Sequence, residues 1–344
     1  MKTELFDYPL PGSLIAQEPL PERDSSRLMV VERGSGDIAH RRFSDLTRLL
    51  SPGDCLVVNS SRVFPGRLHA RKETGGSVEL LLLERVADGT WAVLVGGARL
   101  RPGVRLSFSR SPISAEVVEG PVEGKATVRF EALKGEAKAI DEMIFDCGTV
   151  PLPPYIKEGP ADMERYQTVY SNREISAAAP TAGLHFTPRL LEELKDAGVI
   201  VARLELAVGL DTFLPVREED IEDHGIHREW FSVDERCAGT LQDVRARGGR
   251  VVAVGTTVVR ALETVAEPGG RVLPGSGRTG LFITPGYRFR AVDALVTNFH
   301  FPRTTLLMLV CAFGGRPLVM DAYRAAVGER YRFYSFGDAM LVLR

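Results

Sequence analysis

A chain of 344 residues, 44% hydrophobic and 26% charged, is long enough for two domains or for one large domain with an insertion, and its composition excludes wholesale disorder. The formal charge of -2 supplies no global positive field, so any nucleic acid must be held by a local, salt-sensitive basic patch. Arg41-Arg42, the Arg99/Arg101/Arg105 group and Arg245/Arg247/Arg250 are candidate patches, and each reads equally well as a solvated face.

In chain order, residues 1–65 hold short apolar runs between turn signals. Pro52-Gly53-Asp54 is a turn, and CLVV (55–58) reads as a buried strand. From about Gly66 to Glu131 the runs RLHARK, SVELLLLER, TWAVLVG, VRLSF, ISAEVVE and KATVRFE predict six short strands, hence a small β-barrel or sandwich. A short helix is expected around Glu136–Phe145, and VPLPPYI (150–156) reads as an extended connector. Thr187-Pro188 opens a helix with Leu190, Leu191, Leu194 and Ala197 on one stripe, ended by Gly198. A strand at 199–206, a helix at about 234–247, a strand at 251–255 and a helix through Ala266 follow. Strands at 281–284 and 293–298, then helices at 304–313 and from about Pro317, complete the pattern. Such alternation points to a largely parallel sheet wrapped by helices, an α/β main domain (1–65 and 150–344) with a β-rich insertion (66–149).

The cysteines Cys55, Cys147, Cys237 and Cys311 are far apart and form no CxxC pair, which argues against a zinc ribbon or a dense disulfide framework. The N-terminus lacks the apolar core of a signal peptide. The longest apolar candidate, 306–313, falls far short of the ~20 residues of a membrane span. A cytoplasmic, membrane-free protein is expected.

Ligands in α/β folds gather at the carboxyl ends of strands. Asn59 and Arg62 follow CLVV; Thr256, Thr257 and Arg260 follow VVAVG; Asn298, His300 and Arg303 follow DALVT. Thr256 and Thr257 either cap a helix or sit where its free N–H groups bind an anion. Asn298 suits a turn or a ligand, Arg303 a surface ion pair or a ligand, and His300 a structural or a catalytic role. His185, in APTAGLHF (179–186), lies in a rigid loop before a helix start, where a neutral ring acts as a base, as a donor or as a structural group. Gly337-Asp338, within YRFYSFGDAM (331–340), looks like a turn that fixes a carboxylate. His224 and His227 have no evident third ligand, so no metal is expected, and GxGxxG and GxxxxGK[ST] fingerprints are missing.

FDYPLPGSLIAQEPLPERDSSRLMVV (6–31), PGDCLVVNSSRVFPGRL (52–68), VPLPPYI, ERYQTVY (164–170), APTAGLHFTP, VVAVGTTVVRALET (251–264), FITPGY (282–287), DALVTNFHFPRTTLLMLVCAFGG (293–315) and YRFYSFGDAML (331–341) together resemble the S-adenosylmethionine:tRNA ribosyltransferase-isomerase family of queuosine biosynthesis, over nearly the whole chain. The resemblance implies a barrel-like α/β main domain with an inserted small β-barrel. It implies transfer of the ribosyl part of S-adenosylmethionine onto 7-aminomethyl-7-deazaguanine at the tRNA wobble position. Epoxyqueuosine forms and adenine and methionine leave, with no cofactor beyond S-adenosylmethionine as co-substrate. The partner is a tRNA with a queuosine-type anticodon, and a monomer is expected.

On this reading His185 and Asp338 handle protons, while Thr256, Thr257 and Arg260 hold the methionine carboxylate or the ribose. Phe186, Tyr334 and Phe336 stack on adenine or face the sulfonium. Asn59, Arg62, Thr181, Asn298, His300 and Arg303 complete the pocket, with Arg23 and Arg27 nearby or on the tRNA side. The chain departs from the family pattern at Ala207, where a histidine is usual, at Asp211 for a glycine, and at Ser60 and Ser61 for the Asp-Thr of NDTRV. The alternatives are a diverged S-adenosylmethionine-dependent tRNA methyltransferase, which would release S-adenosylhomocysteine, and a non-catalytic RNA-binding protein using the insertion as an OB-like platform.

Overall fold

A computed structural model describes residues 1–96, 100–133, 138–157, 159–209 and 215–344. Arg99, Asp211 and the expected first helical turn at 136–137 lie outside them. The chain divides into two compact units, residues 1–62, 153–173 and 179–344, and residues 63–152 with 174–178.

The smaller unit carries six antiparallel strands, Arg67–Lys72, Ser77–Ala87, Thr90–Gly96, Arg105–Ser107, Ile113–Val122 and Lys125–Ala132. Lys125–Ala132 pairs with both Thr90–Gly96 and Ile113–Val122, and Arg71 opposite Ser107 closes the sheet into a barrel. Strict alternation makes this possible: Leu68, Ala70, Val78, Leu80, Leu82, Trp91, Val93, Val117, Val128 and Phe130 fill the interior. The helix after it spans Ile140–Cys147, and its Asp141 accepts the Trp91 indole N–H at 3.1 Å.

The larger unit is built on nine strands: β1 (Arg27–Glu32), β2 (Ile38–Arg42), β3 (Cys55–Asn59), β4 (Ile200–Leu206), β5 (Glu229–Val233), β6 (Val251–Val254), β7 (Gly275–Thr279), β8 (Ala294–Asn298) and β9 (Ala339–Leu343). Their order is β7-β5-β4-β3-β6-β8-β9-β1-β2. The centre, β4-β3-β6-β8, is parallel, but β9 runs antiparallel to β8 and parallel to β1, and β5, β7 and β2 are antiparallel to their neighbours. The sheet is thus mixed rather than largely parallel. The strand expected at 281–284 is instead the preceding glycine-rich Gly275–Thr279, which an edge position tolerates.

Helices α1 (Pro188–Asp196), α2 (Glu235–Ala246), α3 (Thr256–Val265), α4 (Thr305–Gly314) and α5 (Arg316–Gly328) cover the sheet. Thr187 caps α1 through the Leu190 N–H, with Pro188 at the first helical position. Alternate residues of β1, β3, β6, β8 and β9 (Leu28, Leu56, Val58, Val254, Val296, Leu341) pack with Phe43, Phe186, Leu190 and Leu194 into one core. The residues between them, such as Val57, Ala253, Leu295 and Val342, are buried too, so central strands read as unbroken apolar runs. Among the described residues no single helix is long and apolar enough to cross a membrane, and the four cysteines are buried and unbridged.

At the amino end of the sheet, Asp54 ties β3 to β6. Its carboxylate accepts from the Arg250 side chain at 2.6 Å and from the backbone N–H groups of Ser51 and Arg250. Burial would raise its pKa, but Arg250 and these donors hold it below the usual carboxylate range. Asp54→Ala should cost about 2 kcal/mol in urea unfolding at pH 7. In the wild type this contribution is present above pH ~4 and is lost as pH falls through the depressed native pKa; a flat difference between wild type and variant down to pH 2 would contradict it.

Candidate active site

The strand directions determine where polar groups gather. The carboxyl ends of β3, β4, β6 and β8 share one edge of the sheet with the amino ends of β9 and β1, since Asn298 lies opposite Ala339 and Leu28 beside Ala339. Asn59, Thr256, Asn298, Asp338 and Arg27 therefore meet at one rim.

Asn298 is the junction. Its amide nitrogen approaches the Tyr334 carbonyl at 3.2 Å and His185 Nε2 at 3.1 Å, and its oxygen accepts the Thr181 hydroxyl at 3.0 Å. A carbonyl only accepts, so the nitrogen must face Tyr334 and donate to Nε2 as well. The His185 proton then sits on Nδ1 and is donated to Ser26 Oγ at 2.8 Å. Burial, then the charges of Arg332 and Arg23, push the His185 pKa down to about 3, and the ring stacks on Phe43 with centroids 4.9 Å apart. His185 is neutral, with both nitrogens engaged.

Two clefts flank this chain of hydrogen bonds. One is lined by Thr181, Val208, Thr256, Thr257, Asn298 and His300, the other by Arg23, Ser26, Arg165, His185, Ser335 and Phe336. Their volumes, about 30 and about 20 Å³, suit single waters. A nucleoside needs ~300 Å³ or more, so ligand entry requires the walls to part.

In the first cleft Thr256 and Thr257 do not cap α3. The cap position is Gly255 at φ 91, with no side-chain hydrogen bond, so the first N–H groups of a ten-residue helix stay open to a ligand. A Cβ on Gly255 would be strained at that φ. His300 bonds Thr297 Oγ1 through Nε2 at 2.8 Å, and burial alone pushes its pKa down to about 3. Asn59 clips the end of β4, accepting from Leu206 N–H and donating to its carbonyl, each at 3.0 Å, and reaches Thr257 Oγ1 at 3.4 Å.

Other expected residues are committed elsewhere. Arg260 is buried and pairs with Glu229, donating also to the Leu281 carbonyl at 3.1 Å, and does not line the cleft with Thr256. Phe186 is fully buried against Phe43 and Tyr170, a core ring rather than a stacking surface. Arg62 pairs with Glu164 and Arg303 with Asp7. Arg27 lies over the Tyr331 ring at 3.6 Å. Asp338 accepts the Arg27 and Arg332 backbone N–H groups at 2.9 and 2.8 Å, bracing the rim, and burial raises its pKa. Tyr334, at φ 75, packs on Tyr155 and Phe301 and turns Ser335 toward the Tyr155 hydroxyl at 2.5 Å, while Phe336 meets Tyr166 edge-on.

Ser26, Arg165, Arg332 and Ser335 were not singled out from sequence, because their partners are remote along the chain; Ser26 adjoining a strand start was the only signal. Ser60 donates to the Leu204 carbonyl at 3.1 Å. His227 lies 3.3 Å from Glu229, and a Cβ on Gly209 would come within 4.0 Å of its ring, so an imidazole stands beside the strand end that lacks one at Ala207. Among the described residues no group of three or more His, Cys, Asp or Glu could hold a metal ion.

Two buried imidazoles with lowered native pKa values bind fewer protons than in the unfolded chain, so stability falls as pH drops below ~6.5. Between pH 7 and pH 5, His185 and His300 should each remove about 2 kcal/mol of unfolding free energy. Urea melts of His300→Gln against wild type would check this, and equal pH slopes would refute it.

The family model described as queuosine biosynthesis protein matches residues 3–342. The chain is 54% identical to the S-adenosylmethionine:tRNA ribosyltransferase-isomerase of Moorella thermoacetica, over 100% of both chains. It is 52% identical to that of Symbiobacterium thermophilum, again over 100% of both. Among solved structures it resembles the S-adenosylmethionine tRNA ribosyltransferase of Thermotoga maritima, with 42% identity and a TM-score of 0.57, covering 98% of this chain and 100% of that one. This chain belongs to the queuosine biosynthesis protein family.

Proposed function

We propose that this enzyme transfers and isomerises the ribosyl moiety of S-adenosylmethionine onto 7-aminomethyl-7-deazaguanine at the tRNA wobble position, releasing adenine and methionine. Full-length similarity to relatives bearing that name carries the reading, and the meeting of Thr181, Asn298, Thr256 and His185 at one sheet edge supports it.

The uncapped start of α3 receives the methionine carboxylate on its backbone N–H groups, beside the Thr256 and Thr257 hydroxyls. The reaction begins with loss of a proton next to the sulfonium, which the positive sulfur acidifies. His185 Nε2, held by Asn298 between the two clefts, carries the basic lone pair for this step, and it becomes available when Asn298 turns its amide toward the ligand. Asp338 does not touch the substrate in this scheme. With both oxygens on backbone N–H groups, it positions the rim. Tyr334 and Phe336 supply the aromatic surface for adenine or the sulfonium. Arg260 acts through Glu229 to fix the strand ends around Gly209. His227 stands in for the imidazole missing at Ala207. No cofactor beyond S-adenosylmethionine is required, and the partner is a tRNA with a queuosine-type anticodon.

Incubation with S-adenosylmethionine and precursor tRNA should release adenine and methionine and give epoxyqueuosine on nucleoside mass spectrometry. S-adenosylhomocysteine as the product would establish the methyltransferase alternative instead. His185→Ala should slow adenine release by about 100-fold or more with a cooperative melt retained; wild-type turnover in that variant would remove His185 from the mechanism.

A further inference from the structure

Arg23 and Arg165 line the cleft that His185 floors and Arg332 lies near His185, and among the described residues none of the three forms an ion pair with a carboxylate. Arg165 donates to the Leu20 and Pro21 carbonyls at 2.5 and 3.1 Å, and Arg332 donates to the Glu18 carbonyl. Arg23 donates to the carbonyls of Gln167, Glu164 and Leu184 at 2.8, 3.0 and 3.3 Å. Arg165 Nε and Arg332 Nη1 are buried and have no hydrogen-bond partner among the described residues. The nearest opposing charges, Asp162 and Glu164 for Arg23 and Asp338 for Arg332, act at longer range only. Burying guanidinium groups against neutral acceptors, with two guanidinium nitrogens unpaired, is a costly arrangement that an anion would relieve.

The cover over these groups can yield. Residues 17–22 form no helix or strand, and Glu18, Pro21 and Glu22 are exposed. Lifting this strap releases the carbonyls that Arg165 and Arg332 now hold.

We propose that the cleft lined by Arg23, Arg165 and Ser335, with Arg332 on the strap beside it, binds a backbone phosphodiester of the RNA substrate, next to the nucleotide that reaches His185, with strap 17–22 exchanging its carbonyls for phosphate oxygens. This rests on the proposed function for the identity of the RNA. A phosphate and the methionine carboxylate share the required chemistry. The phosphodiester fits better, because S-adenosylmethionine carries net positive charge and three guanidinium groups would repel it. The cleft also supplies the local positive region that a chain of formal charge -2 needs to grip RNA.

The test titrates an anticodon stem–loop RNA against the full-length protein at several salt concentrations. Arg165→Gln and Arg332→Gln should each weaken binding by about tenfold and reduce the slope of log affinity against log salt by about 1. Arg165→Lys should keep the slope, and the rise in Tm caused by S-adenosylmethionine should be unchanged throughout. Unaltered RNA affinity and slope in folded Gln variants overturns the site. Loss of the S-adenosylmethionine response with RNA binding intact overturns it in favour of the carboxylate. Where a Gln variant does not fold, hydrogen exchange in residues 17–23 of the wild type decides: RNA should change it, and an identical pattern with and without RNA overturns the proposal. Absence of adenine release by the wild type would refute the enzymatic reading without altering the salt slope, so the two failures remain distinct.

Discussion

The arrangement of the site depends on one amide. Asn298 ends β8 and bonds two segments that are far from it and from each other in sequence: residues 181–185, through the Thr181 hydroxyl and the His185 ring, and Tyr334, through its carbonyl. A primary amide is suited to this because it donates and accepts from adjacent atoms, and the carbonyl of Tyr334 dictates which end points where. From that orientation follow the tautomer of His185, the role of Ser26 and the separation of the two clefts. An aspartate at the same position would lack the donor for Tyr334 and would place a negative charge beside the imidazole.

Electrostatics at this edge favours neutral groups within and cations around them. His185 and His300 are uncharged because they are buried. Asp338 keeps its place through backbone donors rather than through a guanidinium. The positive charges that remain belong to Arg23, Arg165 and Arg332, whose side chains hold loop carbonyls. Charge is thereby concentrated beside the second cleft, and the buried Arg260–Glu229 ion pair lines neither cleft.

Much of this was legible in the sequence where a signal is local. Alternation located the barrel strands, with Leu68 and Ala70 facing in and Arg67 and Arg71 outside the interior. The Thr187-Pro188 cap and Gly198 stop bounded α1 closely. Strand ends pointed to Asn59, Thr256 and Asn298, since a strand in the centre of a sheet delivers its last residue to the rim. What failed was non-local. Arg260 follows a strand end just as Thr256 does, yet one helical turn carries it to the buried Glu229. Phe186 adjoins His185 but extends into the core. The strands β1, β2, β5, β7 and β9 were not legible although they are as long as β3, β6 and β8; glycine hides the pattern in β7, and the pairing of all five is decided by neighbours rather than by their own pattern. Arg165 and Arg332 gave no signal, because their partners are backbone carbonyls of a distant loop.

The closed sheet of the smaller unit limits how that unit can engage another molecule. With Arg71 and Ser107 completing the ring of strands and only the two-residue strand Gly148–Thr149 added beside Arg67 and Leu68, the described residues of the barrel wall offer no long free edge along which an extended polymer could zip by main-chain pairing. Recognition by that unit must therefore be written in side chains and turns, where single substitutions can retune it without disturbing the framework.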